Sequence, residues 1–377
     1  MAERSLTIHH VAPHFFPEIG GLEQSVGRYT AWLVRRGHRV TVHASALTTR
    51  GETLPRNGEM DGVSIRRYPP VVRSGYYRSL FYPDLEAAEV VHLHGYAVRT
   101  NDHVARTFEP SRIAFSLHHG VRMPHPTSTT RLLRRAYDVT TGIPTLRRIG
   151  RILVAAPGDV SWLTQRGISQ EKITVLPTPL ADEDFIPGDP SWARTRVGRE
   201  RFLLYIGRLH EDKGVAYLLE AAAMLPAEAH LVFAGPDDGM QAILERGTRD
   251  LHVQDRVHFL GVVTAEQKRS LLAACASLVL PSAYEAQGLT VLEAWAQGRP
   301  VVASRVGALA EIISDGKDGL LAPYANTPRL SSALKEIWGS ESTARALGAR
   351  GKTIAARFRL EELGETLERI YYGLRRT

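Results

Sequence analysis

The sequence predicts an α/β fold made of two successive doubly wound units. At 377 residues the chain exceeds the size at which one hydrophobic core keeps growing, so two domains are expected. Short apolar runs alternate with helix-like stretches along most of its length, the pattern of parallel strands joined by crossover helices. The alternation breaks once, at the proline- and acid-rich stretch LADEDFIPGDPSWA, and then starts again, so this stretch reads as a linker between residues 1–180 and residues 188–359.

In the first half, LTIHHVA, RVTVHA, VVHLHG, RIAFSLHH and RILVAA are short runs rich in apolar residues, and each reads as a strand. An amphipathic helix is expected from Leu22 to Arg36 and another helical region near 129 to 148. In the second half the strands are FLLYIG, HLVFAG, RVHFLG, SLVLP and PVVAS, with helices in VAYLLEAAAML and from about Leu289. A cleft between the two units is the expected ligand site. The last helices, from about Ser340, have no strand partners. Cys275, the single cysteine, lies in LLAACASLVLP and reads as core, since it has no internal partner for a disulfide.

Composition narrows the function classes. No apolar run approaches the ~20 residues needed to span a bilayer, and the start MAERSLTIHHVAP lacks a secretory apolar segment, so a cytoplasmic location is expected. Residues 1–180 carry 23 Lys and Arg against 14 Asp and Glu, a net of +9, whereas residues 181–377 carry a net of −2. Arg131, Arg134, Arg135, Arg147, Arg148 and Arg151 fall within 21 residues that contain one acid, Asp138, and GYYRSLFYPD nearby supplies aromatics. Such a basic helical surface suits an anionic membrane, and it equally suits a solvated face.

The segment EAQGLTVLEAWAQGRPVVAS carries the chemistry. Glu285 and Glu293 stand on either side of Gly288, which opens an apolar helical pattern. A helix starting near Leu289 offers free backbone N–H groups, and a glycine lets an anion come close, so Gly288, Leu289 and Thr290 suit a phosphate. Carboxylates beside a phosphate would repel it, so sugar hydroxyls are the better partners for Glu285 and Glu293. Upstream, the strand Phe202 to Ile206 ends in a loop carrying Arg208 and Lys213, a forked and a point-charge contact for phosphate. Each motif alone also fits an ordinary solvated helix start or charged loop.

Together these motifs resemble the nucleotide-sugar-dependent glycosyltransferases of family 4, retaining enzymes of the GT-B fold with two Rossmann-like domains facing each other across a cleft. FFPEIGGLEQSVGRYTAWLVRRGHRVTVHA, with Gly20 and Gly21 before a helix, resembles the family's opening loop, and VVHLHGY and SLHHG its later strand ends. The resemblance implies that Arg208 and Lys213 hold the donor diphosphate, Glu293 the ribose hydroxyls and Glu285 the transferred sugar. It implies backbone contacts to the base at Val262 and Val263, and close backbone approach at Gly20 and Gly21. His118 resembles the histidine near the reaction centre, with His119 the competing candidate should the strand register differ by one. The last helix, about 360–377, is implied to rejoin the first domain, which receives the acceptor.

The implied chemistry is a front-face substitution with retention, in which the leaving diphosphate helps deprotonate the acceptor. Arg208, Lys213 and the helix N-terminus would stabilise the leaving charge, so neither a metal nor a cofactor is required. Strand by strand the histidines form no convincing ligand cluster, because those of VVHLHG alternate and HHVAPH has no carboxylate or cysteine at ligand spacing. The expected partners are a UDP- or GDP-sugar and a glycan, small-molecule or lipid-linked acceptor. Thr178, Pro179 and Leu180 replace a common Asn-Gly turn, Ala308 replaces a glycine, and Ala286 and Gln287 replace a glycine–aromatic pair, which leaves the donor sugar open. A nucleotide-sugar epimerase of the same architecture would also bind the donor, but would be expected to arrange its carboxylates for elimination. A nucleic-acid binder has only the net charge of +7 in its favour, with no accompanying motif.

Overall fold

The computed structural model describes residues 4–18, 20–71, 80–118, 122 and 127–375. They divide into two compact units, Met1–Pro179 with Leu360–Thr377, and Leu180–Arg359. Among the described residues no helix is long and apolar enough to cross a membrane.

The first unit is built on a sheet of β1 (Thr7–Val11), β2 (Arg39–Ser45), β3 (Asn57–Met60), β4 (Val63–Tyr68), β5 (Val90–His94), β6 (Ile113–Ser116), β7 (Arg151–Val154) and β8 (Ile173–Val175). Its order is β3-β4-β2-β1-β5-β6-β7-β8. All neighbours are parallel except β3 and β4, a hairpin turned by Asp61 at φ 51° and Gly62 at φ 76°. Positive φ at both turn residues matches the right-handed twist of the two strands. The central strands are buried because helices cover them: Ile8, Val42, Val90 and Ala114 join Leu22, Val26, Trp32 and Leu33 of helix Gly21–Arg35 in one core.

Helix Leu360–Arg375 completes that core with Leu360, Leu367 and Tyr371. It lies close to the Gly21–Arg35 helix because Gly364 has no side chain where Trp32 stands; a Cβ there would come within 2.6 Å of the indole. Polar contacts fix the pairing. Trp32 Nε1 donates to Glu361 at 2.7 Å, and Glu368 accepts from His38 Nε2 at 2.8 Å and from Arg36 at 3.2 Å.

In the second unit β9 (Phe202–Ile206), β10 (His230–Ala234), β11 (Val257–Gly261), β12 (Ser277–Leu280), β13 (Val301–Ser304) and β14 (Leu320–Ala322) form a parallel sheet ordered β11-β10-β9-β12-β13-β14. The chain runs outward from β9 to one edge, then returns to β12 and runs to the other. The loops after β9 and β12 therefore part at a topological switch point, where open α/β sheets bind ligands. Cys275 is fully buried, and burial pushes its thiol up to about 12.

The stretch read as a linker is part of this second unit. Residues Asp182–Phe185 and Pro190–Val197 are helical, and Leu180, Ala193 and Val197 are buried in the core. Its backbone is also engaged, with Gly188 N–H donating to Gln297 at 3.1 Å and Asp189 N–H to Ser270 at 3.0 Å. Its prolines start helices, since Pro190 sits in the first turn, where a missing N–H costs nothing.

The Trp32–Gly364 contact gives a direct test. Gly364→Ala forces the two helices apart and should lower unfolding stability by about 1–3 kcal/mol. Chemical denaturation checks it, and an unchanged midpoint would show that this contact does not set the spacing.

Candidate active site

At the end of β9, Arg208 leaves the sheet with its carbonyl held by the buried Tyr205 hydroxyl at 2.7 Å. Its guanidinium pairs with Asp238, beyond β10, and lies 3.9 Å from Asp212; all three side chains are close to half exposed. The loop then makes one 3-10 turn, Glu211–Lys213, and ends on Gly214 at φ 65°. A Cβ on Gly214 would stand 2.1 Å from the Pro281 carbonyl oxygen, so glycine is what lets the loops after β9 and β12 touch. Ala283 N–H donating to the Asp212 carbonyl at 2.8 Å joins them further.

That closeness delivers Lys213 Nζ to Glu285 Oε1 at 2.7 Å, and Ser282 Oγ donates to the same oxygen at 2.8 Å. The Glu285 backbone is anchored by Ala308 N–H at 3.0 Å. Helix Leu289–Ala296 begins immediately afterwards on Gly288, whose φ is 81° and which provides no side-chain cap. A Cβ there would meet Leu309 at 2.5 Å. The first-turn N–H groups of Leu289 and Thr290 therefore have no intrahelical acceptor and point out of the helix start, an anion-binding arrangement.

Glu293 lies about one turn, roughly 6 Å, along this helix. It is 2% exposed and its Oε1 is 2.6 Å from Lys268 Nζ, on helix Ala265–Ala274. Residue spacing gave no sign of Lys268, nor of Asp238, since both reach the site only through packing of neighbouring strands and helices. Of the positions after β11, Val262 is largely exposed and Val263 packs against the core, with the β10 end held alongside by Gly235 N–H donating to the Gly261 carbonyl at 2.7 Å. Gln287 is buried. The second unit thus gathers Arg208, Lys213, Glu285, Gly288, Leu289, Thr290 and Glu293 around the switch-point loops.

In the first unit, Gly20 caps helix Gly21–Arg35 without a side-chain cap bond, and Gly21 has open space where a side chain would be. His118 lies two residues beyond β6 at φ 47° and its Nε2 is 2.8 Å from His94 Nδ1. His119 falls outside the described residues.

The expectation of no histidine cluster needs correction. Because β1 pairs with β5 in a register that sets His10 opposite His92, the rings of His10, His92 and His94 share one face of the sheet. One nitrogen from each lies within 4.8 Å of the others, close enough to be considered as metal ligands. Each ring is, however, already hydrogen-bonded to a neighbour, His10 Nδ1 to His94 Nε2 at 2.8 Å and His92 Nδ1 and Nε2 to Tyr371 and Ser116 at 2.6 and 2.8 Å. Burial, with the neighbouring histidines adding to it, pushes His10 down to about 3 and His92 and His94 well below the usual histidine range.

The arginine stretch is not one uniform basic face. Arg131, Arg135, Arg147 and Arg148 are exposed. Arg134 pairs with Asp138 at 2.9 Å and lies over the Tyr96 ring, and Arg151 is part of β7 and donates to the Glu171 carbonyl. Helix Ser128–Tyr137 buries none of its residues, and Leu132, Leu133 and, just beyond it, Val139 are 57–69% exposed. Of GYYRSLFYPD, residues 75–79 fall outside the described residues, while Tyr82 is exposed and Phe81 buried.

The chain has relatives among known proteins. A family model described as glycosyl transferase 4-like domain matches residues 20–179, and one described as glycosyl transferases group 1 matches residues 200–340. The chain is 27% identical over 360 residues to a D-inositol 3-phosphate glycosyltransferase of Mycobacteroides abscessus, covering 87% of this chain and 80% of the relative. Its fold is that of sucrose-phosphate synthase from Thermosynechococcus elongatus, with a TM-score of 0.81 at 22% identity over 98% of this chain and 99% of that one. Anabaena HepE in complex with UDP and glucose superposes with a TM-score of 0.77 at 18% identity, covering 97% of this chain and 98% of that one. The two family matches, in chain order and together spanning most of the sequence, show that the chain belongs to the group 1 glycosyltransferases of the GT-B fold.

Proposed function

We propose that this glycosyltransferase moves a sugar from a nucleoside-diphosphate sugar to a glycan or lipid-linked acceptor, with retention and without a metal. The observation that carries the reading is the Lys213–Glu285 pair beside the uncapped start of helix Leu289–Ala296. A diphosphate at that start would meet the Leu289 and Thr290 N–H groups, Lys213 and Arg208. The half-exposed ion pairs of Arg208 contribute little, typically 0–1 kcal/mol, so phosphate can take the guanidinium from its carboxylates at small cost. Glu293 would accept from the ribose hydroxyls and Glu285 from the transferred sugar. HepE, a structural relative, is described with UDP and glucose, which supports a donor of this class.

In this reading retention is reached without a covalent intermediate on Glu285. Its Oε1 accepts from both Lys213 and Ser282, so it is stabilised as a hydrogen-bonding anion and is poorly disposed to attack an anomeric carbon. Transfer then proceeds on one face of the sugar. The bond from C1 to the phosphate oxygen breaks, the bond from C1 to the acceptor oxygen forms on the same side, and the acceptor proton passes to the departing phosphate. Lys213, Arg208 and the helix start, worth about half a positive charge, stabilise the negative charge that develops.

The exposed Leu132, Leu133 and Val139 beside Arg131, Arg135, Arg147 and Arg148 favour a membrane-borne acceptor. Apolar side chains entering the headgroup region next to cations is how an amphipathic helix lies on an anionic bilayer.

Two outcomes are expected. Transfer should continue in excess chelator and give a product with the donor's anomeric configuration, read by proton NMR of the product; loss of activity on metal removal, or inversion, would overturn the mechanism. On vesicles containing anionic lipid, replacing Arg131, Arg135 and Arg148 by Gln should weaken sedimentation strongly, since each basic residue near the surface adds about 1 kcal/mol, and added salt should do the same. Equal, salt-insensitive partitioning of both proteins would favour a soluble acceptor.

A further inference from the structure

Helix Ala265–Ala274 begins just after Val262 and Val263, and a reciprocal cap fixes its start: Thr264 Oγ accepts from the Gln267 N–H at 3.2 Å, and Gln267 Oε1 from the Thr264 N–H at 3.0 Å. Leu271 and Leu272 anchor the helix in the core. Lys268 stands three and four residues before them, so it leaves the helix on the buried face, and its side chain is only 16% exposed. Its Nζ lies 2.6 Å from Oε1 of Glu293, whose side chain is 3% exposed. We infer that Lys268 is a positioning residue of the nucleotide site, whose positive charge holds the Glu293 carboxylate as the acceptor for the ribose hydroxyls and so sets a preference for ribose over deoxyribose. The inference rests on the proposed ribose role of Glu293.

Stability alone gives no reason for the pair. Lysine is seldom buried without a partner, and burying it costs the rotamers of a long side chain and the hydration of two ions. An interior ion pair stabilises a protein no more than two well-packed apolar side chains would, and often less. What it adds is a full negative charge inside the protein. A carboxylate accepts through two oxygens with about four lone-pair sites, of which Lys268 takes one, and a charged acceptor binds a hydroxyl about twice as strongly as a neutral one. With no cation beside it, a buried carboxylate is driven to its protonated form, which would present an O–H where the ribose hydroxyls need acceptors. The pair also ties Glu293, on helix Leu289–Ala296, to the helix that follows Val262 and Val263.

Isothermal titration of the intact protein tests this, comparing the tightest binder among UDP, GDP and ADP with the 2′-deoxy form of the same nucleotide and with inorganic pyrophosphate. The wild type should bind the ribonucleotide about tenfold or more tightly than the deoxy form, the loss expected when a hydroxyl that donates to a carboxylate is deleted. Lys268→Met should reduce that preference to about threefold or less and weaken the ribonucleotide about tenfold, with pyrophosphate binding unchanged. Lys268→Arg, which keeps the charge, should retain most of the preference. In a Glu293→Gln background, Lys268→Met should cost no further affinity.

A Lys268→Met protein with the wild-type preference, or a Lys268→Arg protein without it, would overturn the inference. So would a further loss in the double variant, which would make Lys268 a nucleotide contact in its own right. Should Lys268→Met fail to fold, Lys268→Gln, which keeps a donor beside the carboxylate and removes only the charge, is held to the same criterion. Glu293→Gln with its ribose preference intact would instead refute the ribose role of Glu293. Loss of preference in Glu293→Gln but not in Lys268→Met would leave that role standing and refute Lys268 alone.

Discussion

Gly288 is held in a left-handed conformation that leaves no space for a side chain, with Leu309 against the place a Cβ would fill. Helix Leu289–Ala296 consequently starts with no side-chain cap, and its first N–H groups look for an acceptor outside the helix. Everything distinctive in the second unit is arranged around this one end. The loop after β9 is pressed against the loop after β12 through Gly214, which brings Lys213 to Glu285 in front of the helix. The helix itself carries Glu293 one turn further in, and the loop after β10 contributes Asp238 to hold Arg208 at the rim. In the proposed reading a phosphate at the helix start would meet these N–H groups and compete with the carboxylates for Arg208 and Lys213.

The ion pairs differ in kind, and the difference suggests a division of labour. Arg208 pairs in largely open surroundings, where exchange of one anion for another costs little. Glu293 and Lys268 pair in the interior, where removing one partner of such a pair costs about 3–5 kcal/mol because the other charge is left uncompensated. Lys213 with Glu285 stands between the two, about a fifth exposed on each side. Rigid acceptors and a movable cation are what a site needs if it must bind a sugar nucleotide and then release the diphosphate.

Much of this was legible in the sequence, for physical reasons that can be named. Strands buried on both faces appear as apolar runs, so FLLYIG, HLVFAG and SLVLP could be found, and Arg208, Lys213, Glu285 and Glu293 sit at strand ends and a helix start whose positions those runs fix. What stayed hidden depended on contacts between distant segments. β3 is the polar, exposed NGEM, betrayed only by its Asp61-Gly62 turn, and β14 has only three residues. The apparent linker folds because Leu180, Ala193 and Val197 find a core that no local pattern announces. The histidine cluster depends on β1 lying beside β5 in one register, and its Tyr371 contact comes from more than 250 residues away in the chain.

In the proposed reading the second unit holds a nucleoside diphosphate by its phosphates at the Leu289 helix and by its ribose at Glu293. Isothermal titration of UDP, GDP and ADP into the wild type, followed by the best ligand and inorganic pyrophosphate into wild type and folded Glu293→Gln, tests it most directly. The predicted result is a loss of about 1.5–3 kcal/mol, roughly ten- to a hundredfold, for the nucleotide, with pyrophosphate binding unchanged. Undiminished nucleotide affinity, or an equal loss for both ligands, would contradict the claim.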